Sequence, residues 1–407
     1  MSMEDAVVLT LAAAQAIAAD SNPTVLVARY AISAAHGAKL QGQALSDPAL
    51  VLDVEGEDGQ AFGSQRYGVV QVLEFPGKYG LRGAIGADQV EIQRHLGAVV
   101  RAAVQRQVAG PYYRLARETA AGRRLALIDT LLAQLGEITT ARYRAGDASY
   151  SDVVRIQVER ARLRAEIITA SQRARDARSD LDLVLGRPPD SPLSVPDDAL
   201  TFEPLGENQE QVVEERMSSS HTLRIAELEQ SRRSKQLDLA QRSNLPDFEV
   251  GAFWQRVPTP GGGDFLSGEL SVSVPLWRTR QNGQVEAARA ERDAAGIQRV
   301  AVRRRVHADI LRAYSATESA ASRVELYRRQ LLPEVEDGVQ AAIDAYRYGR
   351  VNALEVVDLL RSAEEARLQY LTALQEYLTQ RAELALSGEL TGLSSSDGQT
   401  WSTGEIP

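Results

Sequence analysis

A glycine turn written twice constrains this chain more than any other feature. "ARYRAGDASYSDVV" runs from Ala141 to Val154, and "DAYRYGRVNALEVV" runs from Asp344 to Val357. Each holds Tyr-Arg-x-Gly, an acidic residue six places after the glycine, and then Val-Val. From Gly146 to Gly349 the offset is 203 residues, in a chain of 407. Any fold for this chain has to use the same turn once per half, so internal repetition is the first question.

The correspondence extends beyond the turns. Thr24, Ala28 and Pro48 match Thr222, Ala226 and Pro246 at one offset, 198, and Pro76 matches Pro275 at 199. The features come in the same order each time. Two tandem copies are expected, at 1–186 and 207–388, with a linker at 187–206 and a flexible tail at 389–407. The stretch "LGRPPDSPLSVPDDALTFEP" (Leu185–Pro204) is rich in Pro and Asp, as a linker should be.

Within each copy the hydrophobic period changes. Phe248, Val250, Ala252 and Trp254 alternate with Glu249, Gly251 and Phe253. Leu266, Leu270, Val272 and Val274 alternate with Ser267, Glu269, Ser271 and Ser273. A period of two predicts strands with one apolar and one small polar face. "QRVPTPGGGD" between them reads as a loop. The first copy has weaker runs at Ala49–Glu55 and Arg66–Phe75, joined by "GEDGQAFGS". Each copy thus offers one hairpin, at about 48–75 and about 246–275. Such strands suit a half-buried soluble hairpin or a barrel wall between lipid and water.

The remainder is helical. After Pro275, Val302, Val306, Ile310, Ala313, Thr317, Ala320, Val324, Tyr327, Leu331, Val335, Val339, Ala342 and Tyr346 step in threes and fours. That is a coiled-coil seam. It predicts a helix of roughly 70 residues, about 100 Å long, bent at Pro333. In the first copy Leu125, Ile128, Leu132, Leu135 and Thr139 lead into the tip at about 142–152, and Val153, Ile156, Leu163 and Ile167 leave it. The second tip falls at about 346–355. Each copy reads helix, strand, strand, very long helix, glycine turn, returning helix. A tube across an aqueous gap needs helices of that length, and a compact soluble domain does not.

Composition narrows the function. Net charge is −9, with three lysines among 46 basic residues, which is no footprint for nucleic acid. There is no cysteine, so disulfides and thiolate metal sites are excluded. No apolar run is long enough for a transmembrane helix. "MSMEDAVVLTLAAAQAIAA" carries Glu4 and Asp5 where an export signal needs positive charge. It is expected to form an amphipathic helix, with Val8, Leu11, Ala14 or Gln15, and Ala18 on its apolar side, leaving any export signal absent from this sequence.

The order of elements resembles the TolC-like outer membrane efflux protein family, the outer membrane factors of tripartite pumps. Its carriers are "LTLAAAQAIAADSNP" (Leu9–Pro23), the strand-to-helix junction prolines Pro76 and Pro275, and the turns "YRAGDASYSDV" and "YRYGRVNALEV". "EFPGK" (Glu74–Lys78) resembles the heavy-metal efflux branch. The resemblance implies a mainly α fold with a small β part, in a homotrimer. Four strands per chain would make a twelve-stranded transmembrane β-barrel, continued by an α-helical barrel through the periplasm. It implies a passive exit duct of a tripartite efflux or type I secretion system in the bacterial outer membrane. Its partners would be a periplasmic adaptor (membrane fusion) protein and an inner-membrane pump of RND or ABC type, with no cofactor.

The resemblance also assigns residues. Asp152, Glu355 and Asp358 match carboxylates of the tip gate; placement near a helix N-terminus explains them equally well. Tyr143, Arg144, Gly146, Ser149, Tyr150, Arg347, Gly349 and Asn352 become candidate adaptor contacts. Arg350 directly follows Gly349, one place earlier than the family's gating arginine, so a closing role for it is not expected. No catalytic or metal site is expected: His36, His95, His221 and His307 are dispersed without ligand spacing, and "GGG" at 261–263 reads as an exposed loop. A soluble coiled-coil scaffold and a periplasmic metal-binding protein are the alternatives.

Overall fold

The computed structural model describes residues 7–55, 63–189, 191–257 and 262–389. Most of the two hairpin loops, Gly261 and the tail from 390 onward lie outside them. Two compact units result, each assembled from separated stretches of chain.

The first unit comprises residues 1–27, 98–220 and 305–407. It opens with β1 (Val7–Val8), which pairs in parallel with β4 (Leu193–Ser194). The sequence places Val8 on a helix, but α1 spans only Leu11–Ser21. Thr10 is the reason: its hydroxyl caps the helix by accepting from the Ala13 amide. Ala14 and Ala18 are buried as expected. Asn22 ends α1, its amide donating to the Val184 carbonyl at 2.9 Å. Pro23 then opens α2 (Pro23–Gln43), where its missing amide costs nothing.

The unit continues with the later part of α3 (Lys78–Ala145), then α4 (Tyr150–Val184) and α5 (Gln209–Ser219). The stretch between α4 and α5 packs on the core: Leu193 is fully buried, and the Tyr377 hydroxyl donates to the Glu203 carbonyl. The later part of α7 (Thr279–Leu326), a π-turn (Tyr327–Leu331), α8 (Leu332–Arg347) and α9 (Ala353–Ala385) complete it. One core joins Val108 and Leu115 of α3, Leu181 of α4, Val324 of α7 and Leu374 and Tyr377 of α9.

The long second-copy helix is interrupted differently from expectation. The π-turn sits directly before Pro333, which occupies the first turn of α8. Proline lacks an amide and crowds the carbonyl four residues back, and a wider turn relieves both. The extra residue also moves the buried seam position from Leu331 to Leu332.

The second unit comprises residues 28–97 and 221–304. Four strands form one antiparallel sheet in the order β2 (Ala49–Val54), β3 (Gln65–Leu73), β5 (Asp247–Arg256), β6 (Asp264–Ser273). Tyr67 pairs with Trp254, which pairs with Leu266. Parity then lines up Leu50, Leu52, Val69, Val250, Trp254, Leu266 and Leu270 on one face, and all are exposed. The other face carries Arg66, ion-paired to Glu269, and the buried Phe253 ring beneath Arg66. Phe253 lies on the polar face that its sequence parity predicts. It fits because Gly68 and Gly251 leave room; a Cβ on Gly68 would lie 2.0 Å from the ring. Edges β2 and β6 have no strand partner among the described residues. The same unit holds α2, the first part of α3, α6 (His221–Arg242) and the first part of α7.

Candidate functional site at the helical tips

The two repeated turns fold alike. Gly146 and Gly349 hold φ of +85° and +70°, where other residues are strained. At the first, the Asp147 amide donates to Arg142 O and the Gly146 amide to Tyr143 O. At the second, the Arg350 amide donates to Ala345 O and the Gly349 amide to Tyr346 O. Each is a glycine C-terminal motif that satisfies the last helix carbonyls. The next helix is capped by a short polar side chain each time. Ser149 accepts from the Asp152 amide, and Asn352 accepts from the Glu355 amide.

The turns are also joined to each other. Arg142 Nη1 donates to the Tyr346 carbonyl at 2.7 Å, and Nη2 to the Asp147 carbonyl at 3.2 Å. The guanidinium lies 5.0 Å from the Tyr346 ring centre, a cation–π distance. The Tyr346 hydroxyl meets Thr139 Oγ1 at 2.6 Å in a buried contact. Around this latch Leu132, Leu135, Ile156, Ile343, Val356 and Leu360 form a second core. Thr139 and Tyr346 stand in the sequence as seam positions. Arg142 does not stand out there at all, since its only signal is a basic residue in the last turn before a glycine.

The expected gate residues fall into two kinds. Asp152 is tied into a capping box, its carboxylate accepting from the Ser149 amide and hydroxyl. Glu355 and Asp358 are exposed on α9, one turn apart. Among the tip residues, the Tyr143 and Tyr150 rings lie 5.6 Å apart and both are exposed. Arg144 is exposed, Arg347 pairs with Asp344 on its own helix, and Arg350 lies over the Tyr348 ring.

Farther along the same helices lies a cleft of about 1000 Å³ between α3, α4, α7 and α9. Its buried carboxylates are Glu118, Glu159 and Glu364. Arg361 donates to Glu159 Oε2 from Nε at 2.9 Å. Arg124 approaches Glu364 to 3.6 Å, and neither Glu364 carboxylate oxygen accepts a hydrogen bond. Burial pushes its carboxyl above the usual range, against the pull of Arg124. None of these charged residues is marked by a motif.

In the second unit the junction prolines sit where the sequence puts them. Pro76 lies between β3 and α3, and Pro275 between β6 and α7. Lys78, the first residue of α3, is buried against Asp247 at 2.7 Å, and that carboxylate also accepts from the Phe75 amide. The histidines are less dispersed than their spacing suggests: His95 and His221 meet, with Nδ1 atoms 2.9 Å apart. His307 is exposed. Among the described residues no group of three or more His, Asp or Glu side chains is placed to hold a metal. No described helix is long and apolar enough to cross a membrane.

The model of the outer membrane efflux protein family matches residues 212–388. The cobalt-zinc-cadmium resistance protein CzcC of Cupriavidus metallidurans is 24% identical over 374 residues, covering 90% of this chain and 86% of that protein. Over these stretches the chain is similar to outer membrane efflux proteins. Solved structures agree on the fold. CusC superposes with a TM-score of 0.74 at 14% identity, over 94% of this chain and 92% of that one. The open-state MtrE outer membrane channel of Neisseria gonorrhoeae gives 0.74 at 15% identity, over 93% and 88%. The fold of long helices and a small antiparallel sheet is therefore shared with these solved structures.

Proposed function

We propose that this chain is an outer membrane efflux protein that works as a homotrimeric exit duct, with its sheet in the bacterial outer membrane and its helices in the periplasm. One observation carries the reading: the four-stranded sheet has an exposed apolar face and, among the described residues, two edges without strand partners. Isolated, such a sheet is an aggregation hazard. Three copies would supply twelve strands, satisfy both edges and turn the apolar face to lipid. A soluble scaffold leaves that face unexplained.

The two repeats, 1–186 and 207–388, would each supply one helical hairpin, so a trimer presents six tips. In this reading the Arg142–Tyr346 contact holds the tips closed, and Glu355 and Asp358 ring the entrance. A threefold ring of carboxylates attracts cations and repels its own members. Tyr143, Arg144, Ser149, Tyr150, Arg347 and Asn352 are the surface offered to a periplasmic adaptor. Docking would shift the tips from closed to open, with an inner-membrane RND or ABC pump supplying the energy. The duct itself is passive and needs no cofactor. Heavy-metal cations are the favoured cargo, supported by the name of the Cupriavidus relative and by Glu74–Lys78.

The native mass in detergent tests the assembly. Three chains per particle are expected. A monodisperse monomer that stays folded without detergent would sink the reading.

A further inference from the structure

The His95–His221 contact belongs to the second unit, whereas the tips belong to the first. His95 sits within α3, and His221 is the first residue of α6. Their Nδ1 atoms are 2.9 Å apart, with ring centres at 5.1 Å and planes inclined by 42°. A hydrogen bond between two Nδ1 atoms needs at least one neutral imidazole, and it turns the two nitrogens toward each other. We propose that this pair is a binding site for a divalent transition-metal ion, with both Nδ1 atoms as ligands.

The separation is close to what a metal requires. Two nitrogens at about 2.0–2.1 Å from a tetrahedral ion lie about 3.3 Å apart. The pair therefore opens by about 0.4 Å, and the rings pivot toward a common point, when the shared proton passes to Nε2 of its own ring, or to water from an imidazolium, and the ion enters. The backbones carrying it are braced. Asp88 of α3 accepts from Lys235 Nζ at 2.6 Å and from Ser231 Oγ at 3.0 Å, both on α6. Ile92 and Ile225, one turn from each histidine, are buried.

Neighbouring charges are already matched. Glu91, one turn before His95, pairs with Arg94, and Arg224, one turn after His221, pairs with Glu227. Among the described residues no third His, Asp or Glu side chain is placed to complete the site. Such a site is weak and exchangeable. Imidazole donors select Cu²⁺, Ni²⁺, Zn²⁺ or Co²⁺ over Mg²⁺ and Ca²⁺.

Calorimetric titration of the full chain in detergent with Zn²⁺ tests this. One saturable ion per chain is expected, unaffected by excess Mg²⁺. His95→Gln and His221→Gln should each weaken binding by at least about tenfold, while His307→Gln leaves it unchanged. In the unaltered protein, Cu²⁺ should show electron paramagnetic coupling to two imidazole nitrogens. Absence of that coupling, or single variants that bind Zn²⁺ as the parent does, would overturn the proposal. The site is independent of the duct reading, since a trimeric channel that binds no Zn²⁺ refutes this inference alone.

Discussion

Arg142 donates to the backbone carbonyl of Tyr346 at 2.7 Å, so the last turn before one glycine is fastened to the last turn before the other. The same guanidinium reaches its own turn at Asp147 O. One side chain thus couples the two hairpins of a chain.

Arg142→Ala should loosen the tips by about 1.5–3 kcal/mol, the range for a hydrogen bond to a charged group. Amide hydrogen exchange around 342–350 should speed up accordingly. Arg142→Lys should recover only part of the effect, because an ammonium lacks the guanidinium fork. Unchanged exchange in the alanine variant would contradict the latch.

The glycines should differ in tolerance. Gly146→Ala and Gly349→Ala both place a side chain in the left-handed region, costing about 1–2 kcal/mol. At Gly146 nothing lies within 4 Å of the new Cβ, whereas at Gly349 it would lie 3.0 Å from Arg142 Nη2. Thermal unfolding should therefore fall further for Gly349→Ala. Equal shifts would argue against the close approach of Arg142.

Glu364 gives a pH signature. Its folded pKa is raised, so the folded chain holds that proton more tightly than the unfolded chain. The resulting stability is present at low pH and is lost as pH rises through the raised value. Glu364→Gln should match the parent in acid and exceed it at neutral pH. Asp129 should behave oppositely. Burial would raise it, but Arg160 and Arg164 hold it below its usual value, so its contribution is lost as pH falls. A Glu364→Gln difference that does not vary with pH would contradict the assignment.

Adjacent positions on β6 should separate the faces of the sheet. Leu270 lies on the exposed apolar face and Ser271 on the other. Leu270→Arg should reduce folding into lipid vesicles by up to about 2–4 kcal/mol, while Ser271→Arg is tolerated. Equal losses would count against a lipid-facing side.

Local features of this fold were legible because they obey a local rule. A glycine that must adopt positive φ marks both tips, and the period of two marks the second copy's strands clearly and the first copy's more weakly. The contacts that couple these elements obey no such rule. Arg142 meets Tyr346 across 204 residues, Arg361 meets Glu159 across 202, and His95 meets His221 across 126. Each depends on how separate helices pack, which periodicity along one helix does not encode. Pro333 shows a third case: the sequence locates a disturbance, but only packing decides that it is a π-turn and not a bend.

Single-channel recording in planar lipid bilayers tests the central claim most directly. The parent protein should insert as a low-conductance channel. Arg142→Ala, and Glu355→Ala combined with Asp358→Ala, should each raise that conductance. A protein that inserts but conducts identically in all three forms would contradict a gate at the tips, and one that never conducts would contradict the duct.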